Sequence, residues 1–201
     1  MDLNGTLVQS TGEPAIDELR PLPGAFAALR ALTEVGFACP VITVQGRISA
    51  GAFTEETFRR WYREFATIAH HHGARLDGLY LCPHRAEDGC RCRKPLTWLY
   101  RQAADDLAAD VHRSWVIGDT GPDLQAAHDL GVRSILVRTG HGSRAAHDPV
   151  PRDRVVGTIV DAVEHILQHA GTTSPGTSTS PTRDPLNVCD TGTHPAAQIH
   201  R

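Results

Sequence analysis

Cys82, His84, Cys90 and Cys92 put three thiols and an imidazole into one short stretch, CPHRAEDGCRCRKP. Three thiolates and one imidazole make a closed tetrahedral set for a structural Zn²⁺. The spacing is tighter than in zinc fingers, so the metal would pin a short loop on itself, with Gly89 allowing the turn. A disulfide or a chance cluster is the alternative. The histidine and a reducing compartment argue against the disulfide. Just beyond the cluster stands Lys94, the only lysine in a chain with nineteen arginines. Under such a bias a retained lysine hints at a position where arginine would not serve, with chance as the other explanation.

A further set of polar residues follows short apolar runs. These are Asp2 in MDLNGTLV, Thr43 after VI, and Asp119 after WVIG. Each alone reads as a loop residue, and GDTGPD could be a plain turn and helix cap. Together with Lys94 they amount to a candidate nucleophile, a hydroxyl, a cation and a second carboxylate. Two carboxylates at neighbouring strand ends suit Mg²⁺, which takes oxygen ligands and keeps several waters. A lysine and a hydroxyl beside them suit a phosphoryl group, whose charge must be neutralised before a nucleophile can approach.

The elements that must position these groups alternate. Residues 23–35 have apolar side chains at helical spacing and stop at Gly36, and residues 37–43 form an apolar strand. Thr54 caps a long helix, with Thr57 where a capping box would place Glu. Strands are expected at 76–81, 114–117 and 134–137, and helices at 96–107, 123–130 and 155–170. This alternation predicts an α/β, Rossmann-like doubly wound parallel sheet covered on both faces, with ligands bound at the carboxyl ends of the strands. Residues 1–170 form the expected domain. Residues 171–201, rich in Thr, Ser, Pro and Gly, are expected to be disordered. Cys39, in an apolar run, reads as a small buried hydrophobe. His70, His71 and His72 read as surface residues at a helix end.

Of 201 residues, 40% are hydrophobic, enough for an ordinary core, and the net charge of −3 offers no basic face to nucleic acid. No apolar run is long enough for a membrane span and no leader suggests export, so a cytoplasmic location is expected, and separately a monomer.

DLNGTL, PLPGAFAALRAL, VITVQG, the Cys/His loop joined to CRKP, and GDTGPDLQAA stand in an order that resembles the haloacid dehalogenase (HAD) superfamily. Within it the chain is similar to the group of histidinol-phosphate phosphatases and D-glycero-D-manno-heptose 1,7-bisphosphate phosphatases, over residues 1–140. A stand-alone domain carrying GAFTEETF points to the heptose type, with histidinol phosphate as the competing substrate. The resemblance implies a small zinc loop and no large cap domain. It also implies hydrolysis of a small phosphorylated sugar through an aspartyl phosphate on Asp2. Mg²⁺ would be held by Asp2, the carbonyl of Asn4 and Asp119, with Asp123 behind them. Thr43, Gln45, Arg93 and Lys94 would bind the substrate, Lys94 neutralising the phosphoryl charge and orienting Asp2.

Three features depart from that pattern. Position 4, where the family has an aspartate as general acid and base, is Asn4. An amide keeps the geometry but moves no proton, so slow turnover is expected, and a degenerate binding protein is the rival from another class. The apolar strand that normally leads to the nucleophile is represented by Met1 alone. A start placed too late is one expected explanation, and a sheet without that strand would leave unpaired backbone and a cavity. Motif two reads Thr43-Val44-Gln45-Gly46-Arg47 in place of Thr-Asn-Gln-Ser-Gly, which removes one substrate contact and offers Arg47 to a second phosphate.

Overall fold

The computed structural model describes residues 1–9, 20–170 and 186–188. Strands β1 (Val41–Val44), β2 (Leu79–Cys82) and β6 (Leu186–Val188) pair in parallel with β2 in the middle. Strands β3 (Trp115–Gly118), β4 (Arg133–Val137) and β5 (Arg154–Val156) form a second parallel set with β4 central. Met1 and Asp2 join the halves. The Ile42 amide donates to the Met1 carbonyl at 2.9 Å, the Asp2 amide donates to the Ile117 carbonyl at 2.9 Å, and the Met1 amino group reaches the Pro40 carbonyl at 2.8 Å. The expected gap in the sheet is therefore bridged at its carboxyl end by two residues. Asp2 stands level with the ends of β1 and β3.

Strand periodicity explains why helices cover both faces. Leu79, Leu81, Ile117, Ile135 and Val137 point to one side. There they meet α1 (Ala25–Glu34), α2 (Glu55–His71) and α6 (Ile159–Ala170). Ile42, Tyr80, Cys82 and Val116 point to the other, against α3 (Trp98–Asp106) and α4 (Gly121–Leu130). In α2 the buried Phe58, Tyr62, Phe65 and Ala69 recur at helical spacing, and the Thr54 hydroxyl accepts from the Thr57 amide at 3.1 Å as the N-cap. Thr57 meets that cap through its own hydroxyl, so the box is partial, as its missing Glu implies. Cys39 is buried, and His70, His71 and His72 are exposed.

Three local expectations need correction. Residues 37–40 do not extend β1, because the Cys39 amide is taken by Asp77 Oδ2 at 2.8 Å and Pro40 has no amide to donate. Residues 155–158 are not helical. Arg154–Val156 pair with β4, and α6 starts behind a capping pair in which the Thr158 amide donates to Asp161 Oδ2 at 2.8 Å. A short helix α5 (Gly142–Ala145) follows β4. The expectation of disorder from residue 171 lies outside the described residues, except that Leu186–Val188 stand as β6 along β2.

Candidate active site

The carboxyl ends of β1, β3 and β4 open into a cleft of about 790 Å³. At its base Lys94 Nζ lies 2.6 Å from Asp2 Oδ1 and 2.6 Å from Asp123 Oδ1, and all three side chains are buried. Asp123 also accepts from the Thr120 hydroxyl. It sits in the first turn of α4, directly against Gly118, where any side chain would collide with its carboxylate. Asp119 follows β3 and accepts from the His141 amide at 2.8 Å through Oδ2, while its buried Oδ1 has no partner. The room for Asp119 comes from Gly5 and Gly140. Both have positive φ, and a Cβ on either would strike the Asp119 carboxylate.

Thr43 and Gln45 line the same cleft from the end of β1, with Gln45 Nε2 donating to Thr43 Oγ1 at 3.0 Å and to Asn4 Oδ1 at 2.5 Å. Arg93 is half-buried at the wall, its Nη1 held by the His84 carbonyl at 2.8 Å. Asp2, Asn4, Thr43, Gln45, Arg93, Lys94, Asp119 and Asp123, drawn from four separate stretches of chain, thus meet in one place. His141 and Arg144, after β4, also line it and were missed. The strand-end rule applied to SILV would have found His141, which closes the polar stretch Arg138-Thr139-Gly140-His141, and Arg144 one helical turn further on.

The electrostatics at the base favour a divalent cation. Burial, reinforced by the charge of Asp2, pushes the Asp119 carboxyl up to about 8. Burial likewise lifts Asp2 to about 6 against the pull of Lys94. Burial alone would lower Lys94, but Asp123 and Asp2 hold it well above the ordinary lysine value. Three carboxylates offer oxygens within 4.8 Å of one another, Lys94 pairs with two of them, and Asp119 Oδ1 is unsatisfied. Hard oxygen donors of this kind fit Mg²⁺.

A carboxyl raised above its unfolded value of 3.8 stabilises the fold at low pH, and that contribution is lost as pH rises toward about 8. A bound cation favours the ionised form and opposes the loss. The expected result is a Tm in EDTA that falls between about pH 4 and 8. Addition of Mg²⁺ should raise it more at pH 8 than at pH 5. Equal Mg²⁺ effects at both pH values would contradict this electrostatic account.

Cys82, His84, Cys90 and Cys92 converge beside the cleft, all four donor atoms lying within 4.8 Å of one another. Cys82 Sγ is 3.6 Å from Cys90 Sγ, and His84 Nδ1 is 3.3 Å from Cys92 Sγ. A tetrahedral site with Zn–S bonds of about 2.3 Å has S–S edges of about 3.8 Å, so the donors fit the metal. Hydrogen bonding from Cys92 already holds the Cys82 thiol down at about 5. Backbone links carry this order to the cleft, since the Gln45 amide donates to the Cys82 carbonyl at 2.7 Å and Arg93 leans on His84.

A parallel, doubly wound sheet with paired carboxylates and a lysine at its carboxyl end defines a hydrolase of the HAD-like class, and a HAD-hydrolase-like family model matches residues 91–162. The D-glycero-beta-D-manno-heptose-1,7-bisphosphate 7-phosphatase of Haemophilus ducreyi is 33% identical over 175 residues, 83% of this chain and 96% of that protein. Its counterpart in Yersinia pestis is 36% identical over 150 residues, 70% of this chain and 79% of that one. The crystal structure of the D,D-heptose 1,7-bisphosphate phosphatase from B. bronchiseptica, complexed with magnesium and phosphate, superposes with a TM-score of 0.79 at 31% identity. That match covers 84% of this chain and 97% of the other. The chain belongs to the family of these heptose bisphosphate 7-phosphatases. Among the described residues no helix is long and apolar enough to cross a membrane.

Proposed function

We propose that the chain is a Mg²⁺-dependent phosphatase acting on a small phosphorylated sugar, with D-glycero-D-manno-heptose 1,7-bisphosphate the best-supported substrate. The observation that carries this reading is the buried Asp2–Lys94–Asp123 contact at 2.6 Å beside the unpartnered Asp119 oxygen. Asp2 attacks phosphorus, and the P–O bond to the sugar breaks as an aspartyl phosphate forms. Water then cleaves that phosphate from Asp2. Lys94 and the Thr43 hydroxyl stabilise the equatorial oxygens as charge builds. Asp2, the Asn4 carbonyl and Asp119 would hold Mg²⁺, which supplies charge neutralisation for the approach of one anion to another. Asp123 keeps Lys94 aimed at Asp2.

The rim supports a bisphosphate. Arg47, Arg93 and Arg144 line it against Glu87 and Asp148, while Arg85 pairs with Glu87 at 3.2 Å. A cationic excess there suits a second phosphate held away from the reacting one. Histidinol phosphate, a monoester carrying its own cation, gains less from such a rim. The test is phosphate release from the heptose bisphosphate, histidinol phosphate and an aryl phosphate, each with Mg²⁺ and with EDTA. Release from none of them in the presence of Mg²⁺ would refute the proposal and favour a binding protein.

Structural zinc at Cys82, His84, Cys90 and Cys92 belongs to the same reading. About one Zn per chain is expected. Stripping it with a chelator should free the three thiols of the loop to titration and weaken substrate binding through Gln45 and Arg93. Purified protein without zinc and with fully reactive thiols would contradict this assignment.

A further inference from the structure

Asn4 sits half-buried in the cleft wall, one residue before the Gly5 turn that packs against Asp119. Its Oδ1 accepts from Gln45 Nε2 at 2.5 Å, and that nitrogen also reaches Thr43 at 3.0 Å. One lone pair of this amide oxygen is thus engaged, and on the other side of the group Nδ2 can donate. Such a group steadies a departing oxygen by a hydrogen bond. It neither gives that oxygen a proton nor takes one from water. Elsewhere on the cleft, Lys94 is shared by two carboxylates and Glu87 is paired with Arg85.

We propose, building on the aspartyl-phosphate reading above, that this site prefers acyl phosphates to phosphate esters of alcohols, and that its phosphoenzyme accumulates. In the first step an Asp2 oxygen bonds to phosphorus and the bond from phosphorus to the acyl oxygen breaks. The electron pair leaves on a carboxylate, whose conjugate acid has a pKa of about 4, so no proton is needed at neutral pH. An alkoxide leaving from an ester does need one. In the second step water bonds to phosphorus, the Asp2–phosphorus bond breaks with its electron pair returning to Asp2, and one water proton must be accepted. With an amide at position 4 that step is slowed by about 10²–10⁴-fold. Acyl phosphates therefore load Asp2 faster than water unloads it, whereas esters are held up before loading and leave no adduct.

The experiment mixes the full chain with acetyl phosphate or glycerol phosphate in Mg²⁺ buffer, quenches in acid, and reads intact mass. Acetyl phosphate should add the mass of one HPO₃, mapping to the Asp2 peptide and lost on hydroxylamine treatment. Glycerol phosphate should add nothing. Asn4→Asp should turn over both compounds with no lasting adduct, and Asp2→Asn should take up no phosphate. An active Asn4→Asp beside a wild-type chain that takes no phosphate overturns the inference alone. So does a wild-type chain that hydrolyses both compounds at similar rates, since another group such as His141 would then move the proton. Inertness of both forms toward every phosphate overturns the phosphatase reading and this inference with it.

Discussion

Lys94→Met is expected to destabilise the fold by about 3–5 kcal/mol at neutral pH, the range for removing one partner of a buried ion pair. It should also abolish phosphate release. The ammonium lies 2.6 Å from both Asp2 and Asp123, and its removal leaves those two and Asp119 clustered without the side-chain cation that pairs with the first two. The variant's carboxylates relieve the repulsion by holding protons, so its deficit should narrow as the pH falls below neutral. Urea denaturation at two pH values reads this directly. Lys94→Arg keeps the charge but brings a wide planar fork to a site built around two contacts with a single nitrogen, and it should recover part of the stability and little of the activity. A Lys94→Met protein as stable as wild type, and as active, would remove the basis for the assignment.

Asn4→Asp works in the opposite direction, as an expected gain. General acid–base catalysis contributes about 10²–10⁴-fold, and turnover of an alkyl phosphate should rise by that order. An aspartate oxygen can accept from Gln45 as Asn4 Oδ1 does, so the new carboxyl starts in a position the wall already supports. Aryl phosphates, whose leaving groups need less help from a proton, should gain less. Steady-state rates on both compounds separate the two effects. A variant no faster than wild type on either would place the defect elsewhere, with the Val44 and Arg47 changes in motif two the nearest candidates.

Much of this site was legible in the chain because its residues announce themselves by place. Asp2, Thr43 and Asp119 each follow a short apolar run, and a parallel sheet brings such ends to one edge. The lone lysine was distinctive by composition, and the four zinc-type donors by spacing. What could not be read was contact across the chain. Nothing near Gln45 in sequence shows that it would clamp Asn4, 41 residues away. Nor does anything near Gly140 show that its missing side chain makes room for Asp119. Strand β5 was lost for a related reason. Val155-Val156-Gly157-Thr158-Ile159 is apolar enough to continue a helix pattern backwards, and only the Thr158–Asp161 cap marks where α6 begins.

The joining of the half-sheets by Met1 and Asp2 was also out of reach of pattern. Periodicity needs several residues, while this junction rests on the hydrogen bonds Ile42 to Met1 and Asp2 to Ile117. Those bonds place the Asp2 carboxylate where Lys94 meets it, so backbone pairing at the centre of the sheet and the Asp2–Lys94 contact depend on the same two residues.

A crystal structure of the chain grown with Mg²⁺ and beryllium trifluoride, a mimic of a phosphoryl group bonded to carboxylate, tests whether Asp2 takes the phosphoryl group beside a cation shared with Asp119. The fluoride group is expected on an Asp2 oxygen and within reach of Lys94, with one cation about 2.0–2.1 Å from oxygens of both Asp2 and Asp119. A cleft in which the cation misses either carboxylate, or the fluoride group settles away from Asp2, would contradict the phosphatase reading.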